Sequence, residues 1–539
     1  MQIELSLLES EQQPKKTALH FDLADPYMTF LHRAGLAGLY MTLRQLEREN
    51  IQTIGGLSWQ LSDRAVSLSW DGNDLEVLDW LLKESFQIRD GLISLRGLDA
   101  KTMDIQPLVM MHQGILGTLL QHNSTHSSIG IKEQSFLIED NKPEMLVKYK
   151  GLSWYVYQDF AANLCDKKTG KLRENAIAIA GWLNPGTAVR HIAFSSDTSF
   201  EETAPSALIL LFAPIACYYF ALRSKLRDQR AQFALIVPEV TNLAVYAQYR
   251  QNPQLRNSGF RNFYTSSLGD AGLRFLSVET IAKNLKENQV KTCQVITLGT
   301  VAWSTQQKTR TDIYTVIADE PRCENYRVCR SFLSDRVVVK EKDNTSWVAT
   351  SFAREMIADN LARGKPWFAC LSEYVNSGEL FKQLTYERDG LHKMVKSQNL
   401  QWSDRERLFV QSCHEAISST YGQLAKRTKD GEEIRFDKVN EKFRTGLGRC
   451  KSSNTFREFI TDFWARAGYV PVLKDHWDEL MELVMTDWKS ARDLSLLALA
   501  SYKGKGGMNA VQADNGDADN GDQYSGLGMV DHFDEDEED

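Results

Sequence analysis

A glycine turn crowded with basic side chains is the first stretch of this sequence that could do chemistry. Lys167, Lys168, Lys171 and Arg173 surround Gly170, between an aromatic segment and an apolar one. Ammonium and guanidinium groups on such a turn can lie along the phosphates of a nucleic acid. The same composition also suits the solvated tip of a hairpin, so the turn is a candidate site with an ordinary alternative.

Basic and amide side chains recur elsewhere. Arg190 follows an Asn-Pro-Gly turn and can hold a phosphate, read a guanine edge, or cap a helix. The other candidates are Arg223, Lys225, Arg227 and Arg230 at the expected end of a buried helix, Gln306, Gln307, Lys308 and Arg310 on an expected loop, and Lys426, Arg427 and Lys429 near another helix end. Each group alone could be solvated surface or could complement a helix dipole. Their recurrence indicates a protein that binds nucleic acid.

The motifs that carry catalysis in familiar enzymes are absent. There is no GxxxxGK[ST] phosphate loop, no GxGxxG after a strand, no HExxH and no GxSxG. The ten histidines are dispersed, and the eight cysteines show neither a CxxC pair nor zinc-ligand spacing. We therefore expect no enzyme, no metal and no cofactor. A nuclease with an unrecognised active site is the alternative, and a pure scaffold is a third possibility.

The net charge of −8 is the sum of two unlike parts. The chain of 539 residues has 63 Lys and Arg against 71 Asp and Glu, but residues 513–539 hold only acidic charges. The rest of the chain is therefore slightly positive, which agrees with local contacts to nucleic acid. The acidic segment could discourage nonspecific DNA binding, dock a basic partner, or simply keep the protein in solution.

Composition favours a folded cytoplasmic protein. The N-terminal residues lack the apolar core of a signal peptide, and scattered cysteines suit free thiols in a reducing compartment. The longest uncharged apolar run, Ala207–Leu222, is interrupted by Pro214 and is shorter than the roughly 20 residues of a membrane span. We expect it to be a buried helix.

The N-terminal part mixes helices and strands without a regular βαβ repeat, which predicts an α+β fold. Asp25 and Pro26 suggest the start of a first helix that runs to about Asn50, and Gly35 and Gly38 within it suggest a face approached closely by another backbone or a ligand. Alternating apolar residues predict strands at 57–61 and 66–70, and a tight hairpin is expected at residues 90–91. Helices are expected at 74–84 and 106–121, and a long hairpin at 295–317.

The C-terminal part has helical periodicity throughout. Ser403 and Glu406 form a capping box, residues 454–467 repeat the amphipathic pattern, and a last helix is expected to carry Trp477 and Leu494 on one stripe. We predict a mixed α/β domain at residues 1–350, a connecting helical segment at 351–394, an antiparallel helical bundle at 395–502, and a disordered acidic tail at 503–539.

Three motifs and the last helix resemble a known family. They are His32–Leu39, His112–Thr118 with Gln121 and His122, Asn184-Pro185-Gly186 with Arg190 and His191, and the helix at 491–500. Together they resemble the large subunit of type I CRISPR Cascade complexes, in the form found in type I-A and I-B systems and in related CRISPR-guided transposons. The resemblance spans most of the chain, but it assigns no motif-reading role to any numbered residue.

The resemblance implies a subunit that reads the protospacer-adjacent motif in duplex DNA while base pairing with a guide RNA reads the sequence. It implies that the N-terminal domain sits at the 5′ end of the guide RNA and that the bundle lines the path of the displaced strand. The implied partners are guide RNA, target DNA, the Cascade backbone and guide-end-capping subunits, and a helicase-nuclease or a transposition adaptor. A separately translated small subunit, Met394–Asp539, is also expected.

Overall fold

The computed structural model describes residues 16–185, 200–222, 232–277, 291–302, 307–317, 319–374, 378–428 and 436–504, and every structural statement below refers to these. The fold is α+β, as the sequence predicts. Sheets occupy the N-terminal part of the chain and helices alone follow residue 351. None of the described helices is long and apolar enough to span a bilayer.

A three-stranded antiparallel sheet opens the chain. Its strands are β1 (Thr17–Asp22), β2 (Ser58–Leu61) and β3 (Ala65–Trp70), in the order β1-β3-β2, which confirms the two predicted alternating segments. The first helix, α1, spans Phe30–Arg48 and is capped by Thr29, whose hydroxyl accepts from the backbone N–H of His32. The predicted start at Pro26 is wrong, because Asp25 and Pro26 belong to a turn that the Asp25 carboxylate closes by accepting from the backbone N–H of Asp22.

The next elements follow the predicted pattern. They are α2 (Asp74–Ser85), β4 (Phe86–Arg89), β5 (Leu92–Leu95) and α3 (Ile105–Leu116). Asp90 and Gly91 join β4 to β5 with φ of 54° and 84°, the left-handed geometry that a two-residue hairpin of this type requires. Helix α3 ends at Leu116, five residues before the predicted end.

A long hairpin and short elements follow. They are β6 (His126–Phe136), β7 (Met145–Tyr155), α4 (Ala161–Leu164), and the pair β8 (Ile177–Ala178) and β9 (Glu201–Glu202). The pairing of β6 with β7 is irregular between Ser127 and Gly130. This hairpin was not among the predicted elements.

The prediction of one buried helix over Ala207–Leu222 is wrong in its second half. The segment forms α5 (Ala204–Leu211), α6 (Ala213–Ala216) and then a strand, β10 (Tyr218–Leu222). A proline fits the first turn of a helix and not its interior, so Pro214 restarts the chain as α6. The aromatic run Tyr218–Phe220 then pairs as a strand, which suits its β propensity.

Strand β10 lies inside a five-stranded sheet of order β12-β10-β11-β13-β14. The other strands are β11 (Gln232–Pro238), β12 (Tyr264–Thr265), β13 (Thr292–Ala302) and β14 (Gln307–Ile317). Strand β11 pairs with β13 only as far as Thr297, whereas β13 and β14 stay paired to Ala302 and Gln307. Among the described residues, the last five residue pairs of this hairpin therefore form a two-stranded ribbon beyond Thr297.

Helices surround this sheet. They are α7 (Leu243–Arg250), α8 (Pro253–Arg256), α9 (Phe260–Phe263), α10 (Leu268–Leu276) and α11 (Glu320–Phe332), followed by a hairpin of β15 (Arg336–Lys340) and β16 (Thr345–Ala349). Helix α10 packs on β13 and on the helix that follows β16.

The remaining elements are all helical. They are α12 (Phe352–Ala362), α13 (Leu371–Tyr374), α14 (Gly378–Tyr386), α15 (Arg388–Lys396), α16 (Asp404–Arg427), α17 (Phe436–Arg449), α18 (Ser453–Ala467), α19 (Pro471–Asp475), α20 (Trp477–Thr486) and α21 (Trp488–Ser501). The capping box of Ser403 and Glu406 is present. The expected single last helix is two helices, because the chain breaks at Asp487, whose carboxylate caps α21 through the backbone N–H of Ser490.

One apolar core runs through the described chain, from Phe21 to Ala500. Within it, α1 closely approaches the α5–α6 segment, where Gly35 lies against the carbonyl of Ile209 and Gly38 against the carbonyl of Phe212. A side chain at either glycine would collide with the backbone. The close approach that the two glycines predict is therefore confirmed, and the neighbour is another backbone.

Candidate nucleic-acid interface

The basic turn at residues 166–173 has a defined geometry. The Asp166 carboxylate accepts from the backbone N–H groups of Lys168 (3.0 Å) and Thr169 (2.9 Å), and Gly170 supplies the left-handed conformation with φ of +67°. These hydrogen bonds, first those from Thr169, lower the pKa of the exposed Asp166 carboxyl. The carboxylate that shapes the turn therefore stays ionised at neutral pH.

Helix α2 anchors this turn. The carbonyl of Gly170 accepts from the backbone N–H of Leu75 (3.0 Å), and the Asp74 carboxylate accepts from the backbone N–H of Leu172 (2.9 Å). The other oxygen of Asp74 accepts from the indole N–H of Trp70 (2.7 Å). One buried aspartate thus joins the turn to the first sheet, which fixes the position of the backbone that carries the basic side chains.

The side chains of Lys167, Lys168 and Lys171 are exposed on the turn, and none forms an ion pair with a carboxylate of the described residues. Arg173 is also exposed, and its Nε donates to the carbonyl of Cys165 at 3.2 Å. Three uncompensated ammonium groups on a rigid turn can meet successive phosphates. Binding of nucleic acid by this turn stays a prediction.

The predicted loop at residues 304–310 is shorter than expected. Gln307, Lys308 and Arg310 lie in strand β14, paired with Ala302, Val301 and Gly299 of β13. The prediction of a protruding loop is therefore wrong for these three residues, which belong to the two-stranded ribbon. Gln306 lies outside the described residues.

The other candidates are scattered or not described. Lys426 and Arg427 are exposed in the last turn of α16, where basic groups complement the helix dipole. Arg190, Arg223, Lys225, Arg227, Arg230 and Lys429 lie outside the described residues. Leu222, before Arg223, ends a strand, so the predicted helix end at that point is wrong. Within the described chain no hydrogen bond or ion pair joins the turn, the ribbon and the helix end.

The motif around His112 has a structural role. Its Nδ1 accepts from the backbone N–H of Ile93 (3.1 Å), so its Nε2 carries the proton and donates to the carbonyl of Lys150 (2.7 Å). Burial lowers the pKa of His112 to about 4, which keeps the ring neutral. Gln113 similarly donates to the carbonyl of Lys148 (2.8 Å). These residues tie α3 to β5 and β7.

An arginine-lined cavity, absent from the sequence predictions, lies between α3, the five-stranded sheet and α11. It has a volume of about 600 Å³, and five of its lining residues are arginines while none is Asp or Glu. The arginines are Arg250, Arg256, Arg274, Arg327 and Arg330. They come from three separated segments of the chain, so no local run of basic residues reveals the cavity.

Three of these arginines have carboxylate partners behind the cavity wall. Arg256 lies 3.3 Å from the Asp99 carboxylate, Arg327 lies 2.8 Å from Glu324, and Arg274 lies 3.4 Å from Asp335. The other two, Arg250 and Arg330, have no carboxylate partner among the described residues.

The Arg274 contact belongs to a buried ionic cluster. Arg354, fully buried, bonds the carboxylates of both Asp270 (3.1 Å) and Asp335. Burial alone would raise the pKa of Asp270, but the Arg354 and Arg274 guanidinium groups hold it well below its ordinary value. The cluster joins α10, α12 and the residues before β15. Among the described residues no group of three acidic, histidine or cysteine side chains could hold a metal ion.

Two family models match parts of this chain. A model of the DevT N-terminal domain matches residues 20–211, and a model of the DevT C-terminal domain matches residues 398–539. The first match falls in the part of the chain that contains sheets, and the second begins in the helical part.

A relative confirms the resemblance to CRISPR-associated large subunits. The chain is 27% identical over 546 residues to CRISPR-associated protein Cas8a1/Csx13 of Myxococcus xanthus (strain DK1622), and the alignment covers 94% of this chain and 93% of that protein. The similarity extends over the sheets and the bundle alike, so it concerns the whole architecture.

Proposed function

We propose that this protein is the non-catalytic large subunit of an RNA-guided type I Cascade complex. In this role it recognises a short protospacer-adjacent motif in duplex DNA and stabilises the opened target. The observation that carries the proposal is the similarity to a Cas8a1/Csx13 protein along nearly the whole chain. The exposed, uncompensated lysines of the basic turn support it.

The proposed partners follow from the same role. They are the guide RNA, the target duplex, the backbone and guide-end-capping subunits, a small subunit, and a helicase-nuclease or a transposition adaptor. Since base pairing with the guide reads the sequence, the protein needs only a few contacts to backbone and motif. Local basic groups on a nearly neutral body meet that need.

Replacing Lys167, Lys168 and Lys171 together by alanine tests the turn in the reconstituted complex. Each lysine that neutralises one phosphate contributes roughly 0.9 to the slope of log affinity against log salt, so the variant should lower that slope by up to about 2.7. Filter binding of a matched target duplex at several salt concentrations measures the slope.

The matched control replaces Lys83 and Lys101, whose ammonium groups lie 2.8 Å from Asp79 and 3.1 Å from Glu49. Because carboxylates already compensate these charges, their loss should change the salt slope by less. Equal slopes for wild type and the triple variant would remove the turn from the interface.

Two rival functions have different signatures. Cleavage of target DNA by the purified complex with Mg²⁺ alone, without a separate helicase-nuclease, would favour a nuclease. Equal affinity for duplexes with and without the adjacent motif would favour a scaffold that does not read DNA. The proposed function expects no cleavage and clear discrimination between the two duplexes.

A further inference from the structure

The arginine-lined cavity carries more positive charge than the surrounding protein compensates. The Arg330 guanidinium donates to the side-chain oxygen of Asn262 at 3.3 Å, and this is its one polar contact with the described residues. Arg250 donates to the carbonyl of Cys217 (3.0 Å) and lies 4.0 Å from the centre of the Tyr218 ring. Neither contact neutralises a cation.

Unused donors accompany this charge. The Nε atoms of Arg250, Arg256 and Arg274 are buried and have no hydrogen-bond partner among the described residues. Burial and then the neighbouring Arg274 charge lower the pKa of Arg330, since like charges repel. A bound anion would relieve this repulsion and could accept from the free N–H groups.

Part of the cavity wall is aromatic, and this part favours a flat apolar group in the ligand. The rings of Tyr218 and Phe275 lie 5.0 Å apart, and the ring of Tyr249 lies 6.0 Å from Phe275. All three line the cavity together with Met103, Met110 and Met111. Aromatic rings, guanidinium planes and polarisable thioethers are favourable neighbours for a planar base.

We propose that this cavity binds a nucleotide, with its phosphate at Arg330 and its base against the wall of Tyr218, Tyr249 and Phe275. The volume of about 600 Å³ falls within the usual range of small-ligand sites. A simple inorganic anion would leave the aromatic wall unused, and an apolar ligand would leave the arginines uncompensated. The nucleotide is either free or a unit extruded from a strand.

This inference goes beyond the proposed DNA recognition and does not rest on it, since the cavity belongs to this chain alone. The test therefore uses the isolated full-length protein. Isothermal titration with 5′-AMP, 5′-GMP, 5′-CMP and 5′-UMP should show binding of at least one of them. The corresponding nucleoside and inorganic phosphate should each bind at least tenfold more weakly.

The variant Arg330→Gln should weaken binding of that nucleotide at least tenfold, and Arg330→Lys should weaken it less. Arg322→Gln on the same helix is the control, because Arg322 pairs with Asp319 (3.1 Å) and does not line the cavity. Removing an uncompensated cation should leave the thermal unfolding midpoint unchanged or raise it, so a loss of binding would not reflect unfolding.

A 5′-phosphorylated trinucleotide, as RNA and as DNA, distinguishes the two sources. Arg330-dependent binding of a trinucleotide indicates a strand, and binding of mononucleotides alone indicates a free ligand. The proposal is overturned if none of the four mononucleotides binds below about 1 mM, if the nucleoside binds as well as the nucleotide, or if Arg330→Gln leaves the affinity unchanged.

Discussion

At the scale of single residues, the residues that carry the family resemblance pack the fold together. Gly35 and Gly38 admit the backbone of α5 and α6, and His112 holds two strands through its two ring nitrogens. The arginines that could bind a ligand lie elsewhere, in the arginine-lined cavity. The family resemblance of this chain therefore indicates its fold, and it indicates its function only through that fold.

Gly38→Ala should destabilise the protein by about 1–3 kcal/mol, at the upper end of that range because the obstacle is the Phe212 carbonyl and not a mobile side chain. Denaturant unfolding followed by circular dichroism measures the midpoint. Gly422→Ala is the control, since Gly422 is exposed in α16 with open space around it. That variant should stabilise the helix by up to about 1 kcal/mol, and equal midpoints for the two variants would contradict the packing argument.

Among single residues, the close contact at Gly35 and Gly38 was predictable from the sequence, and the arginine-lined cavity was not. Two glycines inside a helix lower its stability. Their presence therefore predicted that another part of the molecule comes close to α1, although it did not identify that part. The cavity could not be predicted, because Arg250, Arg274 and Arg330 are distant from one another in sequence. The uncompensated charge exists only once the chain has brought them to one wall.

At the scale of elements, patterns with one strong local signal were predicted well. Strands β2 and β3, the turn at Asp90 and the cap of α16 each follow from alternation, turn residues or a capping box. The prediction of one helix over Ala207–Leu222 failed because a fully apolar segment shows no apolar–polar periodicity that distinguishes a helix from a strand. Its last five residues become a strand through pairing with β11, the next strand along the chain.

Arg354 joins several elements, and Arg354→Gln should destabilise the protein by about 3–5 kcal/mol. The variant leaves Asp270 and Asp335 buried with less counter-charge, which costs more than the pair itself contributes. Denaturant midpoints measure the loss. Arg336→Gln, an exposed neighbour on β15, should change the midpoint by less than about 0.5 kcal/mol; a similarly small effect at Arg354 would mean that Arg274 alone compensates both carboxylates.

At the scale of the whole molecule, the bundle is continuous with the rest of the core. The Asp493 carboxylate on α21 accepts from the backbone N–H groups of Cys370 (2.8 Å) and Ser372 (2.9 Å), so the last helix holds residues far earlier in the chain. The boundaries between the four predicted segments remain predictions. The separate match of residues 398–539 to a DevT C-terminal model agrees with a bundle that can be considered as a unit.

A second product, Met394–Asp539, should co-purify with the complex if translation also starts at Met394. That methionine is fully buried in α15 and lies just before the C-terminal match. Met394→Leu should abolish the fragment while preserving the full-length protein, because the two side chains have similar volume. Mass spectrometry of the purified complex identifies the fragment.

The matched control is Met485→Leu, at an exposed methionine of α20, which should leave the fragment unchanged. A fragment that persists in Met394→Leu would reject this start. Failure to find the fragment with wild-type protein would reject a separately made small subunit of this kind.

The ribbon of β13 and β14 has a mechanical consequence. Among the described residues, five residue pairs have no partner in β11 and span roughly 15 Å beyond Thr297. Two-stranded ribbons twist more than wide sheets, so the ribbon and not the sheet sets the orientation of its last described pair, Ala302 and Gln307. Held at one end, the ribbon acts as a lever arm: a bend of about 10° at Thr297 moves Ala302 by about 3 Å.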